Sequence, residues 1–210
     1  MPLLSLHSDT SLRLALWRTD EAVEELLPRF SPSLRLRYGR ELQRFATPHR
    51  RLEWLSVRAL LAEVWGEEME IAYAPSGKPF LKESPYAISI SHTKGYVAVA
   101  LGEGRPVGID IERYGQRIHR VASRFLHPDE RVAPYGGDPT WGLLLHWSAK
   151  ESVYKCMERP DADLRRLCAQ PFEPRREGNF RIRTVATEPA QWFDVSYRIG
   201  EDFVLTWTRG

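Results

Sequence analysis

The sequence predicts an α+β fold of two similar, pseudo-repeated halves, residues 1–104 and 105–210, each with helices packed on a small antiparallel sheet. Three observations carry this expectation. Helix-type spacing of apolar residues dominates the early part of each half, and short alternating or β-branched runs close it. The closing run of the first half, YAISISHTKGYVAVAL (86–101), also overlays FDVSYRIGEDFVLTWT (193–208) without a gap, with Tyr86 on Phe193, Ile88 on Val195 and Tyr96 on Phe203. An active site at the interface of two such halves is the corresponding expectation.

Taken in order, residues 12–17 (LRLALW) alternate like a half-buried strand, and 32–65 carry helical spacing interrupted at Pro48, so the first half is expected to begin with helices. Strand-type runs follow at 70–74, 86–91 and 96–101, separated by the turn formers Pro75, Ser76, Gly77, Lys94 and Gly95. The second half opens on a strand at 107–112. Helical stretches are expected at 119–133 and 141–157 with a shorter segment at 161–168, then strands at 179–186, 192–199 and 202–208, Gly200 marking the last turn.

A chain of 210 residues with 42% hydrophobic content can bury one large core or two of roughly 100 residues each, which excludes a disordered protein. The net charge of +2 creates no global field demanding a nucleic acid or a membrane. Of the 30 basic residues 25 are Arg and 5 are Lys, and the planar guanidinium suits phosphate. Cys156 and Cys168 lack CxxC spacing and a neighbouring His, so both are expected to be reduced core thiols. The N-terminal residues sustain no signal-like apolar run, and no stretch reaches 18 apolar residues, so a soluble cytoplasmic setting is expected.

Chemistry concentrates in five places. In Val107-Gly108-Ile109-Asp110-Ile111-Glu112 strand alternation points Ile109 and Ile111 to the core and projects Asp110 and Glu112 together from the other face, where two carboxylates can share one hard cation such as Mg²⁺. Taken alone, the same pattern describes a solvated strand face. In Trp147-Ser148-Ala149-Lys150-Glu151-Ser152-Val153-Tyr154-Lys155 a helix places Glu151 and Lys155 on one face, so a Glu aimed at the metal brings Lys155 beside its phosphates; an exposed ion pair is the bland alternative. Ser91 and His92 end a strand and can donate to a phosphate, and the overlaid copy has Arg198 and Ile199 there instead. Gly77, Lys78 and Pro79 form a turn that permits close backbone approach and offers one charge, although no Walker spacing is present. Between Arg29 and Arg58 the chain carries eight Arg against Glu41 and Glu53, a face for RNA, a phosphorylated cofactor or an acidic protein. Phe30, Tyr38, Phe45 and Trp54 sit there at core-like spacings, which ranks nucleic acid last.

With GKP at 77–79, SISH at 89–92, VGIDIE at 107–112 and WSAKESVYK at 147–155, the sequence resembles the 4′-phosphopantetheinyl transferase superfamily, in its longer two-half, surfactin-synthetase-activating type. The resemblance implies transfer of phosphopantetheine from coenzyme A to a serine of an apo acyl or peptidyl carrier protein, with release of 3′,5′-ADP. It implies that Asp110, Glu112 and Glu151 hold Mg²⁺ and that Lys155 steadies the pyrophosphate. Glu151 is then the candidate base, directly or through water. Ser91, His92 and basic residues of the Arg35–Arg51 stretch, Arg37 and Arg51 among them, would grip the 3′-phosphate, with Gly77, Lys78 and Pro79 near the adenine. Neither nucleic acid nor membrane is expected as a partner, and a monomer suffices. Two other readings use the same residues: a metal-dependent phosphodiesterase with water as nucleophile, and a non-catalytic phosphate- or RNA-binding module.

Overall fold

The computed structural model describes residues 3–8, 11–66, 69–157, 163–185 and 187–210, which cluster into two compact units, Met1–Glu103 and Gly104–Gly210. Both are α+β. Unit 1 opens with strands and not with helices: β1 (Leu3–Ser8) pairs antiparallel with β2 (Leu12–Arg18). The partner of β1 is set by tertiary pairing, which local periodicity does not encode. A short helix, α1 (Val23–Leu26), leads to α2 (Pro32–Leu42) and α3 (Pro48–Trp65). The break between them follows from Pro48, which lacks the N–H an interior helical position must donate yet fits the first turn of a new helix. Thr47 caps that turn by accepting from Arg50 N at 3.3 Å, and Gly66, at φ +79°, ends the helix.

Strands β3 (Ile71–Tyr73) and β4 (Pro79–Leu81) form a separate ladder, Ile71 opposite Leu81, closed by a turn in which Gly77 takes φ +84°. The β4 strand is too short to register as periodicity. The hairpin β5 (Tyr86–Thr93) and β6 (Tyr96–Glu103) completes a sheet ordered β1-β2-β6-β5. Leu55, Leu60 and Leu61 of α3 join Trp17, Val97 and Val99 in the unit's core.

Unit 2 begins with β7 (Val107–Arg113), continues through α4 (Pro139–Cys156), and ends in β8 (Leu167–Ala169), β9 (Glu177–Thr184), β10 (Trp192–Ile199) and β11 (Phe203–Arg209). Its sheet runs β7-β11-β10-β9-β8 with every neighbour antiparallel. Two expectations are corrected here. The helix expected at 119–133 is a 3₁₀ stretch, Gln116–Arg124, followed by irregular chain in which Pro128, Pro134, Gly136 and Gly137 prevent continuous i to i−4 pairing. Of the segment 161–168, residues 161 and 162 lie outside the described residues, Leu164–Arg166 is a single 3₁₀ turn, and Cys168 lies in β8. Cys156 and Cys168 are both buried thiols outside any disulfide.

The hairpin overlay has a structural counterpart. Thr93 pairs with Tyr96 around a two-residue turn, and the equivalent Gly200 donates its N–H to Phe203 O at 2.8 Å around another. In each unit an earlier strand then pairs with the second hairpin strand in the same frame, Arg18 opposite Tyr96 and Arg113 opposite Phe203. The register therefore makes Ala15 the counterpart of Asp110, and Trp17 that of Glu112.

Candidate functional site

The acidic pair of β7 stands beneath α4. Asp110 lies opposite Thr206 and Glu112 opposite Val204, and Val204 belongs to the core of unit 2. The pair thus shares the helix-covered face, whereas Ile109 and Ile111 are buried on the opposite one. This departs from the expectation of isoleucines inward and carboxylates outward. A strand buried on both sides shows its hydrophobic alternation whichever face the helix covers.

Gly108 sets the distance between helix and strand. A Cβ at this position would lie 1.7 Å from Ser152 O, so only glycine lets α4 approach β7 this closely. At that separation Lys155 Nζ donates to Asp110 Oδ1 at 2.7 Å and to Ile109 O at 3.1 Å. About two turns earlier on α4, Trp147 donates its indole N–H to Glu112 Oε1 at 2.6 Å.

Glu151 joins this group electrostatically. Burial raises the Glu112 carboxyl to about 7, the charges of Asp110 and Glu151 push it the same way, and the Trp147 hydrogen bond and Lys155 oppose them. Burial, then the Asp110 charge, likewise holds the Glu151 carboxyl above the ordinary range, with Lys155 opposing. Asp110, Glu112, Glu151 and Lys155 therefore form one coupled charge cluster. Among the described residues no three His, Cys, Asp or Glu side chains are gathered in metal-ligand geometry. Lys155 and Trp147 hold one oxygen each of Asp110 and Glu112.

Glu112 and Glu151 open onto a cavity of about 760 Å³ whose lining includes Arg113, Arg117 and Arg124 beside the apolar Ile118 and Leu144. Behind α4, Lys150 has a different role from its neighbour in sequence. Its fully buried ammonium donates to Phe125 O at 2.6 Å and pairs with the equally buried Glu130 at 2.7 Å. Glu130 accepts in addition from His127 N and Ala169 N, so this pair ties α4 to the irregular chain and to β8.

The remaining sequence-predicted residues lie in unit 1. Gly77, Pro79 and His92 line a cavity of about 210 Å³, together with Arg50, Glu53 and Arg58. Lys78 sits in the same turn, its N–H directed to Ser76 Oγ, and Ser91 is buried on β5 beside His92. The structure takes Arg37 and Arg51 elsewhere. Arg37 pairs with Glu70 at 3.5 Å and lines another cavity with Tyr38 and Glu41; Arg51 donates to Phe45 O at 2.9 Å.

Sequence reasoning missed Glu53 and Arg58 in this cavity, and within the Arg35–Arg51 stretch it named Arg37 and Arg51 where the cavity has Arg50. The available signal was helical phase: counted from Pro48, positions 50, 53, 54, 57 and 58 share one face of α3, which separates Arg50 from the adjacent Arg51. Arg58 is nearly enclosed, donates to Trp54 O and stacks on that indole at 3.3 Å, so desolvation lowers its pKa.

Comparison with known proteins bears on this arrangement. Residues 106–208, which contain the carboxylate cluster, match the model of the 4′-phosphopantetheinyl transferase superfamily. Two curated relatives, each called 4′-phosphopantetheinyl transferase AcpT, come from Escherichia coli O157:H7 and Escherichia coli strain K12, and both are 29% identical to this chain over 120 residues. The matched region takes in 50% of this chain and 57% of each relative, so the chain spans just over half the length of the curated relatives it matches.

Proposed function

Because the chain belongs, through residues 106–208, to the 4′-phosphopantetheinyl transferase superfamily, we propose that it moves the phosphopantetheine arm of coenzyme A onto a serine of an acyl or peptidyl carrier protein. The observation that carries this reading is the coupling of Asp110, Glu112 and Glu151 around Lys155. Three mutually repelling carboxylates, one of them half-protonated near pH 7, are a set of hard oxygen donors that a divalent cation would relieve. The donor chemistry fits Mg²⁺, which Asp110, Glu112 and Glu151 would hold. Bound there, Mg²⁺ supplies positive charge to the pyrophosphate.

The chain's own groups divide the remaining work. Lys155 faces the charge that builds on the departing phosphate oxygen. Glu151, half-buried and above the ordinary carboxylate range, takes the proton of the attacking serine hydroxyl, directly or through water. The serine oxygen forms a bond to the β-phosphorus while the bond to 3′,5′-ADP breaks, and positioning dominates such a transfer. In unit 1, Arg50 and His92 receive the 3′-phosphate and the Gly77–Pro79 turn the adenine. Arg117 and Arg124 of the cavity lining, with Arg113 paired to Asp202 beside them, offer positive charge to an acidic partner.

The test is incubation with coenzyme A, Mg²⁺ and apo carrier proteins, followed by mass measurement of the carrier. Gain of one phosphopantetheine supports transfer. Release of 3′,5′-ADP with no labelled carrier identifies a hydrolase instead. Glu151→Ala should abolish labelling and leave coenzyme A binding within a few-fold of wild type; loss of neither removes Glu151 from the mechanism.

A further inference from the structure

The unit 1 cavity contains a carboxylate in a place read as an anion site. Glu53 is 5% exposed, on the cavity-lining face of α3. Its Oε1 accepts from His49 Nε2 at 2.9 Å and faces His92 Nδ1 at 3.4 Å, while its Oε2 accepts from Arg50 at 2.8 Å. The circuit closes through Arg50, whose NH1 lies 2.8 Å from His92 Nε2. A guanidinium can only donate, so Nε2 accepts and the imidazole proton sits on Nδ1, toward Glu53.

From this circuit we infer that Glu53 is a positioning residue for the phosphate-gripping pair Arg50 and His92, and that a phosphomonoester entering the cavity binds together with one proton taken up at His92 Nε2. The inference rests on the reading of this cavity as the seat of the 3′-phosphate of coenzyme A. A phosphate dianion competes for the Arg50 guanidinium and leaves Nε2 facing phosphate oxygens with a lone pair. Protonation converts that repulsion into a donated hydrogen bond, and Glu53 on the Nδ1 side stabilises the resulting imidazolium. Among the described residues that line this cavity, Arg58 of α3 and Tyr73 of β3 are also charged or titratable, and His49 of α3 reaches the same Glu53 oxygen. Arg58 is held on Trp54 and its carbonyl, so Arg50 is the cation able to exchange partners.

Titration calorimetry of the full chain at pH 7.5, in buffers of different ionisation enthalpy, tests this with two probes, coenzyme A and 3′-dephospho-coenzyme A. Wild type should take up ~0.5–1 proton with coenzyme A and close to none with the dephospho form. Glu53→Gln should weaken coenzyme A about 10-fold, shift dephospho-coenzyme A less than about 2-fold, and remove the proton uptake. A merely structural role would weaken both ligands alike. Because Glu53 is buried, a melting curve accompanies the variant, and the wild-type proton count stands without it. Equal proton counts for the two ligands, or equal weakening of both, overturns the inference. A wild type that binds neither ligand refutes the reading of the cavity itself, and the inference falls with it.

Discussion

Trp147 donates its indole N–H to Glu112 Oε1 at 2.6 Å, from helix to strand across 35 residues of sequence. That bond favours the ionised carboxylate and opposes the burial and neighbouring charges that hold Glu112 at about 7. Trp147→Phe keeps a ring against Phe125 and removes the donor. Glu112 should then titrate higher, carrier labelling at pH 7 should fall roughly 10-fold, and the acidic limb of the pH–rate profile should move to higher pH. A profile superimposable on that of wild type would remove the indole from the site's electrostatics.

The same carboxyl makes stability depend on pH. Folded Glu112 keeps its proton up to about pH 7, whereas the ordinary value is 4.5. Between these values the unfolded chain binds fewer protons, so the contribution of this group to stability is fully present below pH 4.5 and is lost as the pH rises through about 7. Glu112→Gln abolishes that slope. Its melting temperature should match wild type near pH 4 and exceed it by a few degrees at pH 8, measured without divalent cations. A variant that melts lower at pH 8 contradicts the assignment.

Gly108 predicts a different failure. Its replacement by alanine drives a methyl group into Ser152 O, a backbone atom that cannot rotate aside. Gly108→Ala should cost about 3 kcal/mol or more in denaturant unfolding, at or beyond the top of the usual overpacking range. Separation of α4 from β7 should also suppress labelling in whatever protein remains folded. Retention of full activity and stability would show that the helix stands farther from the strand.

Lys150 and Glu130 form a buried pair with both side chains fully enclosed. Lys150→Met leaves the Glu130 carboxylate uncompensated and should destabilise the chain by about 3–5 kcal/mol. Pairing it with Glu130→Leu should recover part of that loss. The remaining deficit reports the backbone groups Phe125 O, His127 N and Ala169 N left without partners. A double variant no better than the single one would argue against the pair as the source of the cost.

Much of this was legible because the residues that bear the chemistry also bear local patterns. Glu151 and Lys155 are four apart on α4, and Asp110 and Glu112 two apart on β7, so periodicity alone paired each couple. The α3 boundary was legible in Pro48 and the last turn in Gly200. What stayed hidden depends on long-range packing: β1 needs β2 to be a strand, and Trp147 reaches Glu112 only because Gly108 admits the helix. Lys150 and Glu151 look alike as charged neighbours, yet a step of one residue around α4 sends one into a sealed ion pair and the other to a cavity wall. Arg50 and Arg51 are divided by the same rotation on α3, which the count of arginines could not express.

The shared register of the two units supplies an internal control. Where β7 carries Asp110 and Glu112, β2 carries Ala15 and Trp17, both sealed in the core of unit 1. An alanine and a tryptophan at those stations show that the architecture has no need of acidity there. The two acids are therefore a load the second copy bears against its own packing, and a chain relieved of them should hold its shape while losing its chemistry.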